Sequence, residues 1–207
     1  GEDLAISMRL FTRPAVRRIL HAAFSFAQTH GYDSITVCEK PNVMRETSGM
    51  MLEEAARMQG EIANTYVGSV NIDALMMRAT RNTEDYGVIV AGNLFGDIIT
   101  DLGAMLQGGM GFAAGGNINP EKIFPSMFEP IHGSAPKYAG KNIVNPIASI
   151  ESARMLLDHL GEAEAASQIQ AAVMKVIADG KSGRKGMGGS KTTSEVGEAV
   201  VKEFLAS

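Results

Sequence analysis

The stretch Asp85-Tyr-Gly-Val-Ile-Val-Ala-Gly-Asn-Leu-Phe-Gly-Asp-Ile-Ile-Thr-Asp101 decides the fold class. Its first half is a short β-branched run of the kind buried inside a sheet, and its second half switches to helical spacing through about Leu106. A strand that runs straight into a helix is the repeating unit of α/β architecture. In that helix Asp97 and Asp101 stand four residues apart on one face, with Ile98, Ile99 and Leu102 on the sides expected to be buried. Like charges at that spacing repel unless a cation lies between them. They also follow the carboxyl end of a strand, where open α/β sheets bind ligands. Hard oxygen donors favour Mg²⁺ or Mn²⁺ over zinc. Taken alone, the pair reads more readily as a solvated acidic face.

Outward from this unit the alternation continues. Residues 3–10, Asp-Leu-Ala-Ile-Ser-Met-Arg-Leu, read as a strand. Thr12 is an N-cap, Pro14 sits in the first turn, and Val16, Ile19, Leu20, Ala23, Phe24 and Ala27 form the apolar stripe of a helix that Gly31 ends. Residues 34–38 form a short strand, 39–42 a polar turn, and 48–63 a helix. Five glycines within residues 108–117 predict irregular backbone and offer the best domain boundary, separating 1–107 from 108–207. Beyond it come a strand over 126–129, a polar loop over 132–145, helices over 147–160 and 163–179, a glycine- and lysine-rich loop over 180–191, and a last helix over 194–205.

The bulk composition narrows the function classes. With 45% hydrophobic residues and 20% charged, the 207-residue chain has an ordinary globular balance. A net charge of −4 makes no electrostatic case for nucleic acid or an anionic membrane. The single cysteine, Cys38, excludes an intrachain disulfide and suits a reducing compartment, so a cytoplasmic location is expected, or the mitochondrial matrix in a eukaryote. No apolar run reaches transmembrane length. The chain opens Gly1-Glu2-Asp3 and enters a strand at once, which leads to the expectation of a truncated or processed piece.

Two further constellations carry chemistry. In Glu39-Lys-Pro-Asn42 a lysine stands at the end of a strand on a proline-stiffened turn, where it can act as a base or simply be a surface lysine. In Glu129-Pro-Ile-His-Gly-Ser-Ala-Pro-Lys-Tyr-Ala-Gly-Lys-Asn-Ile-Val-Asn145 the prolines and glycines shape a loop rich in hydrogen-bonding groups, suited to a nucleotide. Gly109-Met-Gly111 is no dinucleotide fingerprint, because it follows a helix. Gly180-Lys-Ser182 is no P-loop, because Lys175 stands where its first glycine belongs.

Together, Glu39-Lys-Pro-Asn-Val-Met44, Asn93-Leu-Phe-Gly-Asp-Ile-Ile-Thr-Asp-Leu-Gly103, Met110-Gly111, Phe128-Glu-Pro-Ile-His-Gly-Ser-Ala-Pro136 and Asn145-Pro-Ile147 closely resemble the metal-dependent β-decarboxylating dehydrogenases. That family includes the isocitrate, 3-isopropylmalate, homoisocitrate and tartrate/D-malate dehydrogenases. The segments fall in the family's order across most of the chain. The resemblance implies the α/β two-domain fold of isocitrate/isopropylmalate dehydrogenase with its N-terminal part missing. Residues 1–107 would then be the small dimer-forming domain and 108–207 the C-terminal part of the cofactor domain. It implies NAD(P)-dependent oxidative decarboxylation of a (2R)-hydroxy-acid with Mg²⁺ or Mn²⁺.

By that resemblance Lys40 is the general base, and Asp73, in Asn71-Ile-Asp73, joins Asp97 and Asp101 as a metal ligand. Lys40 and Asp73 come from one subunit and the paired aspartates from the other, so a homodimer with shared sites is implied. Glu129, His132, Gly133, Ser134, Ala135, Lys137, Tyr138 and Asn145 fall on the cofactor loop. Members that prefer NAD usually carry an aspartate where this chain has Lys137, whereas Lys137-Tyr138 resembles the NADP-preferring isocitrate dehydrogenases, so NADP is favoured over NAD. The tail 188–195 lacks the additional phosphate-clamping tyrosine and arginine. The family's substrate-binding arginines and proton-donating tyrosine precede the first residue here, so the chain alone is expected to be an inactive half-site. A regulatory subunit without catalysis and a naturally split enzyme are the alternatives.

Overall fold

The structure, a computed structural model, describes residues 3–59, 66–180 and 191–206. The chain divides into two compact units, Gly1–Leu102 and Gly103–Ser207, and the division falls within a helix.

The first unit is an α/β layer. Its sheet has three parallel strands, β1 (Ser34–Glu39), β2 (Tyr66–Asn71) and β3 (Val88–Ala91), in the order β2-β1-β3. Helices α1 (Arg13–His30) and α2 (Arg45–Gln59) pack on each other and on the sheet. Thr12 caps α1, its side-chain oxygen accepting the Ala15 N–H, and Gly31 ends it at φ 73°, a left-handed conformation open to glycine without penalty. Val16, Leu20, Phe24 and Ala27 meet Ile35, Val37, Met51, Ala55, Met58 and Val90 in one core. Ile19, expected on the same stripe, lies at its flank and lines an open groove with Phe26 and β3. Helix α3 (Ile72–Ala79) follows β2, and α4 (Asn93–Leu106) follows β3.

Residues 3–10 form no strand: Leu4, Ile6, Met8 and Leu10 alternate correctly but are exposed, because no described strand pairs with them. Alternation predicts a face, whereas a strand also needs an edge to bond to. Conversely, β2 carries no apolar run and was not legible, since an edge strand buries little of either face. Helix α2 is described only to Gln59, and the remainder of the predicted helix, to residue 63, lies outside the described residues. Ile98, expected to be buried, is 42% exposed, while Phe95 and Ala104 take the inward face of α4.

The second unit packs α5 (Ile147–Leu160), α6 (Ala163–Ala178) and α7 (Thr193–Leu205) around Ile147, Ala172, Val173, Val176, Val196 and Val200. The glycine-rich 108–117 stretch is not wholly irregular. Ala114–Asn117 forms β4, antiparallel to β5 (Met127–Pro130), because pairing with β5 satisfies its backbone whatever its side chains. Gly115 and Gly116 leave room for Ile131 and Phe128, which a Cβ would meet at 2.6 and 3.0 Å. The predicted loop at 180–191 lies almost wholly outside the described residues.

A buried carboxylate ties α1 to α2. Glu54 accepts from Arg13, from Arg17 Nε at 2.6 Å and from Arg57 at 3.1 Å. The bonds from Arg17, then Arg13, hold its carboxyl below the usual glutamate range against the opposing effect of burial. A carboxylate whose folded pKa is lowered stabilises the fold above its unfolded pKa of roughly 4.3, and that contribution disappears as pH falls through the folded value. Glu54→Gln is therefore expected to lower the melting temperature by several degrees at neutral pH and to lessen its decline on acidification. Equal acid sensitivity in melting curves of variant and parent would contradict this role.

Candidate active site

Register explains why chemically capable residues gather at one edge. β1 pairs with β2 from Ser34↔Tyr66 to Glu39↔Asn71, and with β3 from Ile35↔Val88 to Cys38↔Ala91. Because all three strands are parallel, they leave the sheet at the same carboxyl edge. The next residues are Lys40 after β1, Ile72-Asp73 after β2 and Gly92-Asn93 after β3. Ligands of open α/β sheets bind at this edge.

Lys40 and Asp73, 33 residues apart, meet there with Nζ to Oδ1 at 2.6 Å. The lysine side chain is largely buried and the aspartate largely exposed, so the pair lies at the surface. Asp73 occupies the first turn of α3, where free N–H groups and the helix dipole favour an anion. Its carboxyl is held below the usual range, chiefly by the bond from Lys40. Partial burial opposes this, and the backbone N–H groups of Asp73 and Ala74 assist. The turn itself is wound tightly: the Val43 and Met44 N–H groups both donate to the Lys40 carbonyl.

Asp97 and Asp101 lie on α4, both exposed. Neither has an ion-pair partner among the described residues. Leu94, Ile98 and Met105 are also exposed on this helix, so the two carboxylates stand within uncovered apolar surface. The structure does not bring these two together with Asp73 into one cluster: among the described residues of a single chain, no three metal-capable side chains converge. Each of the three carboxylates offers only hard oxygen donors, the kind that suits Mg²⁺ or Mn²⁺.

In the second unit, Glu129 lies on β5 opposite Gly115, exposed. The His132 Nδ1 is 2.7 Å from the Gly133 carbonyl oxygen, while its Nε2 is buried with no hydrogen-bond partner among the described residues. A buried ring nitrogen without a partner is one that a ligand group or a water would satisfy. Gly133 has φ 61° and Ala135 φ 43°, the latter a left-handed conformation that costs a non-glycine residue energy. Ser134 is exposed between them, and Lys137 and Tyr138 follow in a 3₁₀ turn with the ammonium 4.9 Å from the ring centre.

Asn145 is buried, and its side-chain oxygen accepts the Ile147 N–H at the start of α5. Gly111 is needed beside it, since a Cβ there would stand 2.7 Å from the Asn145 Cβ. Asn142, at φ 52°, accepts from the Ser194 N–H and hydroxyl through its side chain and from the Thr193 N–H through its carbonyl. The start of α7 is thereby tied to the predicted cofactor loop, a contact that no local sequence signal announces.

The isocitrate/isopropylmalate dehydrogenase family model matches residues 1–200. The chain belongs to this family. A 3-isopropylmalate dehydrogenase of Clavibacter sepedonicus is 38% identical over 97% of this chain and 56% of its own length. A probable tartrate dehydrogenase/decarboxylase of Agrobacterium vitis is 40% identical over 100% of this chain and 57% of its own. Among solved structures, an isocitrate dehydrogenase from Methylococcus capsulatus superposes with a TM-score of 0.90 at 36% identity, covering 96% of this chain and 58% of that one. A β-decarboxylating dehydrogenase from Thermococcus kodakarensis gives 0.84 at 35%, covering 99% and 59%. The chain thus spans somewhat over half the length of these family members. Its α/β fold is the isocitrate dehydrogenase-like fold, as the resemblance implied. None of the described helices is long and apolar enough to cross a membrane.

Asp73 is expected to titrate below the ordinary aspartate value of roughly 3.9, and to move up toward it in Lys40→Met. Carboxyl-carbon NMR titration of both proteins measures this. An Asp73 midpoint that Lys40→Met leaves in place would show that the pair does not form in solution.

Proposed function

We propose that the chain carries the base and metal ligands of an NAD(P)- and Mg²⁺/Mn²⁺-dependent dehydrogenase that oxidatively decarboxylates a (2R)-hydroxy-acid of the isocitrate, 3-isopropylmalate or malate type. The observation that carries the reading is the Lys40–Asp73 pair at 2.6 Å on the carboxyl edge of the parallel sheet. The carboxylate fixes the direction of the Lys40 side chain, and once the ammonium has released a proton to solvent, Nζ accepts the substrate hydroxyl proton. Asp73, Asp97 and Asp101 would hold the metal. When bound, metal and nicotinamide supply polarisation of the hydroxyl oxygen and a hydride acceptor.

Membership of the family supports a site shared between two copies, with Asp97 and Asp101 of one facing Lys40 and Asp73 of the other. The exposed Leu94, Ile98 and Met105 beside them favour the same arrangement, because burying α4 against a second copy removes this apolar surface from water. In the loop from Glu129 to Asn145, the open His132 Nε2 and the shaped backbone at Gly133, Ser134 and Ala135 suit the adenosine part of the cofactor. Lys137 presents an ammonium where a 2′-phosphate would pair with it, which favours NADP over NAD. Retention of Lys40, Asp73, Asp97 and Asp101 together argues against a regulatory subunit without catalysis.

Mn²⁺ titration followed by calorimetry tests the metal reading directly. Binding is expected in the parent, with Asp97→Asn and Asp101→Asn each weakening it by at least about tenfold, the scale seen when a metal site loses a supporting group. No Mn²⁺ binding in the parent, or unaltered binding in both variants, would overturn it. For an active enzyme assayed on isocitrate, 3-isopropylmalate, D-malate and tartrate, Lys40→Met should lower kcat by roughly 10²–10⁴-fold. Lys137→Asp should shift preference toward NAD.

A further inference from the structure

We propose that Arg9 is a positioning residue, locking the Lys40 turn to the first turn of α4 through the buried Glu39 carboxylate. The name of the chemistry at Lys40 rests on the function proposed above; the lock itself rests on geometry alone.

Glu39 is the last residue of β1, directly before Lys40, and is 1% exposed. An ionised carboxylate so enclosed needs both a counter-charge and hydrogen bonds. Arg9 supplies a two-pronged fork, with Nη1 3.2 Å from Oε2 and Nη2 3.0 Å from Oε1. Ser48 donates its hydroxyl to Oε2 at 2.7 Å, and Ser48 Oγ in turn accepts the Lys40 N–H at 3.4 Å. The buried anion therefore reaches the backbone of Lys40 through one hydroxyl.

The guanidinium is itself held. It lies 4.3 Å from the Phe11 ring centre and 5.2 Å from that of Phe95, and Nη1 also reaches Thr47 Oγ1 at 3.3 Å. Phe95 is the third residue of α4, two before Asp97, and is buried. Arg9 thus touches both the turn that bears the base and the helix that bears the paired aspartates.

Gly92 is what admits it. A Cβ at Gly92 would stand 2.4 Å from Arg9 Nη2, 3.1 Å from Phe11 and 3.4 Å from Glu39 Oε1. The Gly92 backbone is in no left-handed conformation, so its missing side chain provides space and not flexibility. A lysine at position 9 would neutralise Glu39 without the planar fork or the ring stacking.

The test reads Lys40 and not turnover, so it succeeds or fails whatever the protein catalyses. The full chain is treated briefly with acetic anhydride, and acetylation of Lys40 is quantified by mass spectrometry against exposed Lys202. With the lock intact, Lys40 is protected by its bond to Asp73. Arg9→Gln and Gly92→Ala are each expected to accelerate Lys40 labelling severalfold, with Arg9→Lys between them and the parent. The double variant should label no faster than Arg9→Gln, because the two changes remove one interaction. Glu54→Gln, which loosens α1 against α2 without touching Arg9, should leave Lys40 protected. Should Arg9→Gln not fold, Gly92→Ala keeps every charge and answers alone. Unchanged Lys40 labelling in folded Arg9→Gln or Gly92→Ala, or equal acceleration in Glu54→Gln, would overturn the proposal.

Discussion

Parallel pairing of β1 with both neighbours sets where three loops emerge, and the chemistry of the first unit follows from that. Glu39 opposite Asn71 and Cys38 opposite Ala91 place the residues after each strand at one edge. A shift of one residue would reverse the faces of a whole strand, sending Ile35 and Val37 out of the core. Core packing and site geometry are therefore held by the same register. The short side chains at the end of the sheet, Gly92 above all, leave room for the groups that gather there.

Charge burial is the second constraint. Glu39 and Glu54 are both enclosed, and each is answered by arginine. These pairs differ in consequence. The Glu54 cluster joins two helices, whereas the Glu39 pair lies against the Lys40 turn and reaches its backbone through Ser48. In the second unit, neutral hydrogen bonds do comparable work. Asn142 binds the start of α7 and Asn145 the start of α5, so the loop between β5 and α5 is anchored at its far end by two asparagines. Its near end keeps left-handed residues and an open histidine nitrogen, features expected where a ligand completes the structure.

Much of this was legible from local pattern. The capped α1, the β1 strand, the strand-to-helix passage before Asp97, and α5, α6 and α7 all announce themselves through periodicity, caps and breakers. The failures share one cause. Residues 3–10 alternate like a strand but have no described partner, whereas Tyr66–Asn71 and Ala114–Asn117 lack an apolar run yet pair. Helical position relative to Asp97 and Asp101 predicts Ile98 inward, yet Phe95 and Ala104 are the buried residues of α4. Strand formation and burial depend on what lies opposite, which a window of neighbouring residues does not contain.

Local sequence was enough for the α/β class, the family, and the residue types proposed for the chemistry: an amine at position 40 and carboxylates at 73, 97 and 101. These are written in local order, because caps, periods and motif spacing are properties of consecutive residues. That Lys40 meets Asp73, that Arg9 closes on Glu39 and that Asn142 receives α7 emerges only once the chain is folded. Those partners are separated by 33, 30 and 52 residues. Sheet order and register bring the first pair together; the others form where a buried carboxylate needs a counter-charge and a helix start needs an acceptor. Neither choice is encoded in any single stretch, since each becomes favourable only when both sides have left water together.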